Sequence, residues 1–115
     1  MQTPPEPLGT AAPGALLKID ARVTEDAYLL EVGGELDRST VGSLESHLAE
    51  AGLSGRSRIL VDLGRLQFMD SSGLRVLLAL EGAAATRDRV RLVAPSRAVR
   101  RVLQLTDTEA HLPLA

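Results

Sequence analysis

From residue 15 onward the chain alternates, with Leu17, Ile19, Ala21 and Val23 apolar and polar residues between most of them, the period of a strand with one buried face. Thr24-Glu25-Asp26 turns the chain and AYLLEVGG, residues 27–34, resumes as a second strand, so the pair reads as an antiparallel hairpin. After GELDRST the period changes. Val41, Leu44, Leu48 and Ala51 fall on one face of a helix running to about residue 51, with Ser39 or Thr40 as its N-cap and Gly52 and Gly55 to end it. SRILVDL, residues 57–63, is a short apolar run with β-branched residues, read as a buried strand. A further helix is expected from residue 72 to about 87, with Leu74, Val76, Leu77, Leu78 and Leu80 around much of its circumference and therefore largely buried. RVRLVAP supplies another strand, stopped by Pro95, and Ser96 caps a helix that places Val99, Val102 and Leu103 on one face. The tail TDTEAHLPLA has room for a last short strand. Helices alternating with strands after a hairpin give an α/β layer on a mixed sheet of four to five strands. Residues 1–14 are rich in Pro, Gly, Ala and Thr and have no periodicity; they read as a disordered lead to one domain over residues 15–115.

Composition narrows the function classes. The 115 residues hold no cysteine, which excludes a disulfide framework and a thiolate metal site. The start of the chain carries prolines where a signal peptide has its apolar stretch, and no apolar run approaches the length of a membrane span, so a cytoplasmic protein is expected, without a membrane partner. The net charge of −2 hides an asymmetry: residues 1–55 hold nine acids against Lys18, Arg22 and Arg38, and residues 56–115 hold ten arginines against six acids. Split charge can steer a partner. Nucleic acid is a poor candidate for that partner, since only Tyr28 and Phe68 could stack on bases and no binding signature is present.

The stretch LQFMDSSGLRVLLAL is apolar except near its middle, where Asp70, Ser71 and Ser72 precede Gly73. A strand ending at Phe68-Met69 and a helix beginning near Leu74 leave amide groups that need an acceptor, and an Asp or Ser supplies one, with Gly73 allowing the sharp turn. Capping needs one of the three polar residues. A serine at an exposed helix N-terminus also lies where the dipole favours an added anion, so a phosphate there would change what the surface binds while leaving the fold intact. Enzyme chemistry finds little support. The spacing G-x-S-x-G is absent, no phosphate-binding G-x-x-x-x-G-K-[ST] occurs and Lys18 is the sole lysine. His47 and His111 have neither cysteines nor a close carboxylate pair with which to hold a metal. Neither an enzyme nor a cofactor-binding protein is expected.

The run DLGRLQFMDSSGLRVLLAL resembles the signature of STAS domains, specifically the bacterial anti-sigma-factor antagonists of partner-switching systems. GELDRST at residues 34–40 and LVAPSRAVRRVLQLT at residues 92–106 accompany it in the right order. The resemblance implies the STAS fold and makes Ser71, directly after the Asp, the serine phosphorylated by a partner that is both anti-sigma factor and kinase. Ser72 is the adjacent alternative, implied to support the loop or cap the helix. Unphosphorylated, such a protein binds the kinase and displaces the sigma factor; phosphorylated, it lets go, and a metal-dependent serine phosphatase resets it. Asp37 matches a family residue near the partner and nucleotide surface, and reads equally well as a turn or cap carboxylate. The implied partner surface is Asp37, Asp70, Ser71, Ser72 and Gly73. Two departures stand out. Thr106-Asp107-Thr108 replaces the family's Ser/Thr-Gly-Leu, removing the glycine that ends the last helix, and the chain stops at Ala115, before a further strand and helix, so the C-terminal helix is expected to be missing. The rival within the same fold is a STAS module that is never phosphorylated and serves as a scaffold or transport-complex subunit.

Overall fold

The computed structural model describes residues 17–80 and 88–114. The lead at residues 1–14 and the continuation of the second helix through residues 81–87 lie outside the described residues. In chain order the elements are β1 (Leu17–Val23), β2 (Ala27–Leu36), α1 (Val41–Leu53), β3 (Arg58–Met69), α2 (Ser71–Ala79), β4 (Val90–Val93) and α3 (Arg97–Thr106), followed by a 3₁₀ turn at Glu109–His111. The strands form one mixed sheet in the order β1-β2-β3-β4. The hairpin β1–β2 is antiparallel, as its short turn requires, and β2–β3 and β3–β4 are parallel, each joined through a helix.

The alternation on each strand decides which face is buried. Register places Tyr28 beside Ile59 and Ile59 beside Val90, then Leu30 beside Val61 and Val61 beside Leu92, so these side chains form apolar rows on one face. Leu44, Leu48 and Ala51 of α1, Leu74 and Leu77 of α2, and Val99 and Leu103 of α3 join the same core. The opposite face carries Lys18, Asp20, Arg22, Arg58 and Arg91 around the half-buried Leu29 and Leu60, and an ion pair of 3.3 Å joins Arg22 to Glu31.

Several elements differ from the sequence expectation. The run read as a short strand over residues 57–63 and the strand read as ending at Phe68-Met69 are one continuous strand, β3, which ends at Met69 as expected. Two extra residues bulge out of it: Glu31 pairs with Asp62 while Gly33 pairs with Arg65, and Gly34 pairs with Leu66 while Glu35 pairs with Phe68. Buried positions therefore step from Leu63 to Leu66 to Met69, three residues at a time, and the two-residue period disappears from the sequence. Gly34, at φ 94°, occupies the backbone conformation that one of these irregularities imposes on β2. α2 begins at Ser71, ahead of both Ser72 and Leu74, and most of its described residues are buried or half-buried, with Ser71, Arg75 and Ala79 forming one exposed stripe. α1 continues through Gly52 to Leu53, and Gly55, at φ 77°, follows its end. The expected last strand is reduced to a single parallel bridge between Leu92 and Leu114, in which the Leu92 amide donates to the Pro113 carbonyl at 2.8 Å. Pro113 has no N–H with which to extend a ladder. Where the sequence lacks a glycine after α3, Asp107 itself takes the left-handed conformation, φ 55° and ψ 44°, and the Thr108 amide reaches back to the Leu103 carbonyl at 3.1 Å.

Candidate functional site

Leu36 and Met69 are the last paired residues of the parallel strands β2 and β3. Each is followed by an aspartate, so register alone sets Asp37 and Asp70 side by side at one end of the sheet. The Asp70 amide donates to the Leu36 carbonyl at 3.2 Å and ties the two turns together.

Asp70 is the N-cap of α2. Its backbone is extended, and its Oδ1 accepts from the amides of Ser72 at 2.8 Å and Gly73 at 3.1 Å, while its carbonyl receives the Leu74 amide at 3.0 Å. Ser72 is half-buried and is held by its amide; it does not cap the helix, because Asp70 already does. Ser71 occupies the first helical position. Its side chain is exposed, and among the described residues its hydroxyl has no hydrogen-bond partner.

Gly73 does not make a turn, as the sequence suggests, but lies within the first turn of α2 with an ordinary negative φ. It is required for a different reason. A Cβ there would meet Leu36 Cγ and Met69 Cγ at 2.8 Å each, both on buried side chains. The close approach seats the start of α2 directly on the ends of the two strands.

Asp37 is tied into its own loop. Its Oδ1 accepts from the Ser39 hydroxyl at 2.7 Å and the Ser39 amide at 2.9 Å, and its amide donates to Thr40 Oγ1 at 2.9 Å. Thr40 Oγ1 in turn donates to the Glu35 carbonyl at 2.8 Å. The Ser39 hydroxyl is the main reason the Asp37 carboxyl is held below its ordinary pKa; partial desolvation opposes it, and the Ser39 amide and Thr40 reinforce it. Thr40 is the residue before α1 but gives no side-chain cap, since its oxygen is engaged on the strand side.

The structure thus brings Asp37, Asp70, Ser71, Ser72 and Gly73 to one end of the sheet. Sequence reasoning missed three contributors there. Ser39 and Thr40 were candidate caps, whereas they fix the Asp37 carboxylate; the spacing Asp-x-Ser-Thr is the signal for such a loop. Phe68 is 47% exposed immediately before Met69-Asp70, because the second bulge turns it out of the core. The histidines lie elsewhere: His47 on α1, its Nδ1 2.8 Å from the Ser43 carbonyl, and His111 in the 3₁₀ turn. Among the described residues no cluster of three His, Asp or Glu could hold a metal ion, and no helix is long and apolar enough to cross a membrane.

Comparison with known proteins places this geometry. The family described as "Mlab, STAS domain" matches residues 19–113. The anti-sigma-B factor antagonist of Staphylococcus epidermidis is 31% identical over 91 residues, covering 78% of this chain and 84% of the relative. Among solved structures, an anti-sigma factor antagonist from Mycobacterium paratuberculosis superposes with a TM-score of 0.73 at 26% identity, over 90% of this chain and 87% of that one. The anti-sigma factor antagonist SpoIIAA in its unphosphorylated form gives a TM-score of 0.61 at 28% identity, over 87% and 88% of the two chains. SpoIIAA, a Bacillus cell fate determinant, also superposes in its phosphorylated form, with a TM-score of 0.56 over 87% of this chain and 91% of that one. Matched by the family over residues 19–113, and superposing on these neighbours over most of its length, the chain belongs to the STAS-domain family.

Proposed function

We propose that this protein is an anti-sigma-factor antagonist, a regulatory binding protein and not an enzyme, controlled by phosphorylation of Ser71. Unphosphorylated, it binds an anti-sigma factor that is also a serine kinase and so frees the sigma factor. The kinase transfers the γ-phosphoryl group of ATP to Ser71 Oγ, releasing ADP and the hydroxyl proton, and the modified protein dissociates. A metal-dependent serine phosphatase restores the hydroxyl. The observation that carries this reading is the division of labour at the start of α2: Asp70 does all of the capping, and the Ser71 hydroxyl is left exposed and unengaged. Among the relatives, the Staphylococcus protein is named an anti-sigma-B factor antagonist, and SpoIIAA is known in unphosphorylated and phosphorylated forms, which supports the same role here.

A phosphate on Ser71 adds about −1.5 to −2 charges at the positive end of α2. The helix tolerates it there, while Asp70 and Asp37 beside it make the rim strongly anionic. A partner surface that accepts a neutral hydroxyl at this acidic end of the sheet is repelled once the phosphate is present. The test combines intact mass and phosphosite mapping on protein from native cells with binding of variants to the kinase. Ser71→Ala should bind constitutively and escape phosphorylation, and Ser71→Asp should bind weakly. Phosphate on Ser72 alone, or on neither serine in any growth state, would sink the proposal and favour a scaffold STAS module. Loss of the partner by Ser71→Ala as severe as that by Ser71→Asp would make the serine a contact rather than a switch.

A further inference from the structure

The exposed side of α3 and Gln67 of β3 line an open groove of about 600 Å3, to which Arg97, Arg100, Arg101, Ala98 and Gln104 contribute. No acid lines it. Among the described residues the three arginines of the groove have no carboxylate partner, in contrast to Arg22, which pairs with Glu31. Arg100 is steadied by its Nε donating to the Pro95 carbonyl at 3.2 Å.

This arrangement works against the helix that carries it. Arg97 and Arg100 lie in the first turns of α3, where the dipole disfavours cations, and the first turn holds no acid to offset them. Arg97 also stands three and four residues from Arg100 and Arg101, the spacings at which like charges repel. A concave site lined by three unneutralised guanidinium groups is matched by an anion from outside. The elongation of the site identifies its class. From Arg97 to Arg101 the helix rises about 6 Å and to Gln104 about 10 Å. That is longer than a single phosphate and close to the spacing of about 7 Å between alternate side chains of an extended peptide. No aromatic side chain lines the groove for a base to stack on.

We propose that this groove is a second docking surface, separate from the Ser71 turn, that takes an acidic segment of a partner protein. The test uses the full chain and a fluorescent oligo-glutamate peptide, with anisotropy read at low and near-physiological salt. R100E/R101E should weaken peptide binding by about tenfold or more. R58E/R91E, the same change of charge on the open sheet face, should weaken it less than about twofold. R100Q/R101Q, which adds no repulsion, should fall between the two and guards against a folding artefact. Equal loss in the groove and sheet-face variants would reduce the effect to net charge and overturn the proposal, as would undiminished binding by R100E/R101E. Tighter binding of a DNA duplex than of the peptide would overturn it in favour of nucleic acid. A salt-sensitive dimer abolished by R100E/R101E would overturn it in favour of a second copy of this chain. The assay involves neither Ser71 nor a kinase, so its outcome is independent of the switch.

Discussion

The turn after β2 and the turn after β3 start from the same place. Each follows the last paired residue of a parallel strand, each opens with an aspartate, and each follows that acid closely with hydroxyl residues at or just before the start of a helix. They use those residues in opposite ways. After β2 the hydroxyls turn inward: Ser39 binds the Asp37 carboxylate and Thr40 bridges Asp37 and Glu35, so the loop is closed on itself. After β3 the carboxylate does the local work through backbone amides alone, and among the described residues the hydroxyl of Ser71 beside it has no partner. Composition does not distinguish a structural turn from a chemically available one. What distinguishes them is whether side-chain hydroxyls join main-chain N–H groups in satisfying the acid, as at Asp37, or the N–H groups do it alone, as at Asp70.

The contrast can be broken most strongly at the glycines. Gly73→Ala should lower stability by about 1–3 kcal/mol, because its methyl group meets Leu36 and Met69 at a distance the packed core cannot supply. Gly42→Ala, in the first turn of α1, has nothing within 4 Å of the new Cβ and should raise stability by about 0.4–1 kcal/mol. Urea midpoints for the two variants should therefore move in opposite directions at unchanged slope. A smaller effect separates the acids. Asp70→Ala should cost about 0.5–2 kcal/mol through the lost cap, and Asp70→Asn should recover most of it because the amide oxygen still accepts from Ser72 and Gly73. Equal losses in both variants would show that charge, rather than acceptance, holds the turn.

The smallest effect is the titration of Asp37. Its pKa in the folded protein lies below the ordinary 3.8, so the unfolded chain binds the proton first as pH falls. The stabilisation is complete above the unfolded value and is lost as pH drops through the folded one. Ser39→Ala removes the largest cause and should move the Asp37 midpoint, followed by the carboxyl carbon shift in NMR, back up towards the ordinary value. An unmoved midpoint would show that the backbone amides suffice.

Much of this was legible in the sequence, for identifiable reasons. The hairpin and α1 follow hydrophobic period, and the cap at Ser96 follows residue type: its Oγ accepts the Val99 amide at 3.2 Å as expected. The same hydroxyl also donates to the Leu66 carbonyl at 2.6 Å, which no local pattern encodes. The end of β3 at Phe68-Met69 was legible, but its continuity with residues 57–63 was not, because two bulges erase the alternation although the buried face continues. The site residues were legible as a polar interruption of an apolar run, but their roles were not. Gly73 reads as a turn glycine from its neighbours and proves to be a packing glycine from Leu36, a residue remote in the chain. Which of Asp70, Ser71 and Ser72 makes the cap depends on the helix starting at Ser71, a boundary that propensity places only loosely.

The seating of Gly73 on both Leu36 and Met69 has a kinetic meaning. The hairpin of β1 and β2 can close locally, but the β2–β3 pairing must first gather two strands separated by the whole of α1. Until that loop closes, α2 has no floor, and the two aspartates have no reason to be neighbours. The rim that carries Ser71 therefore exists only once β2 and β3 are paired, so a short peptide copied from residues 66–80 would reproduce its letters without its surface.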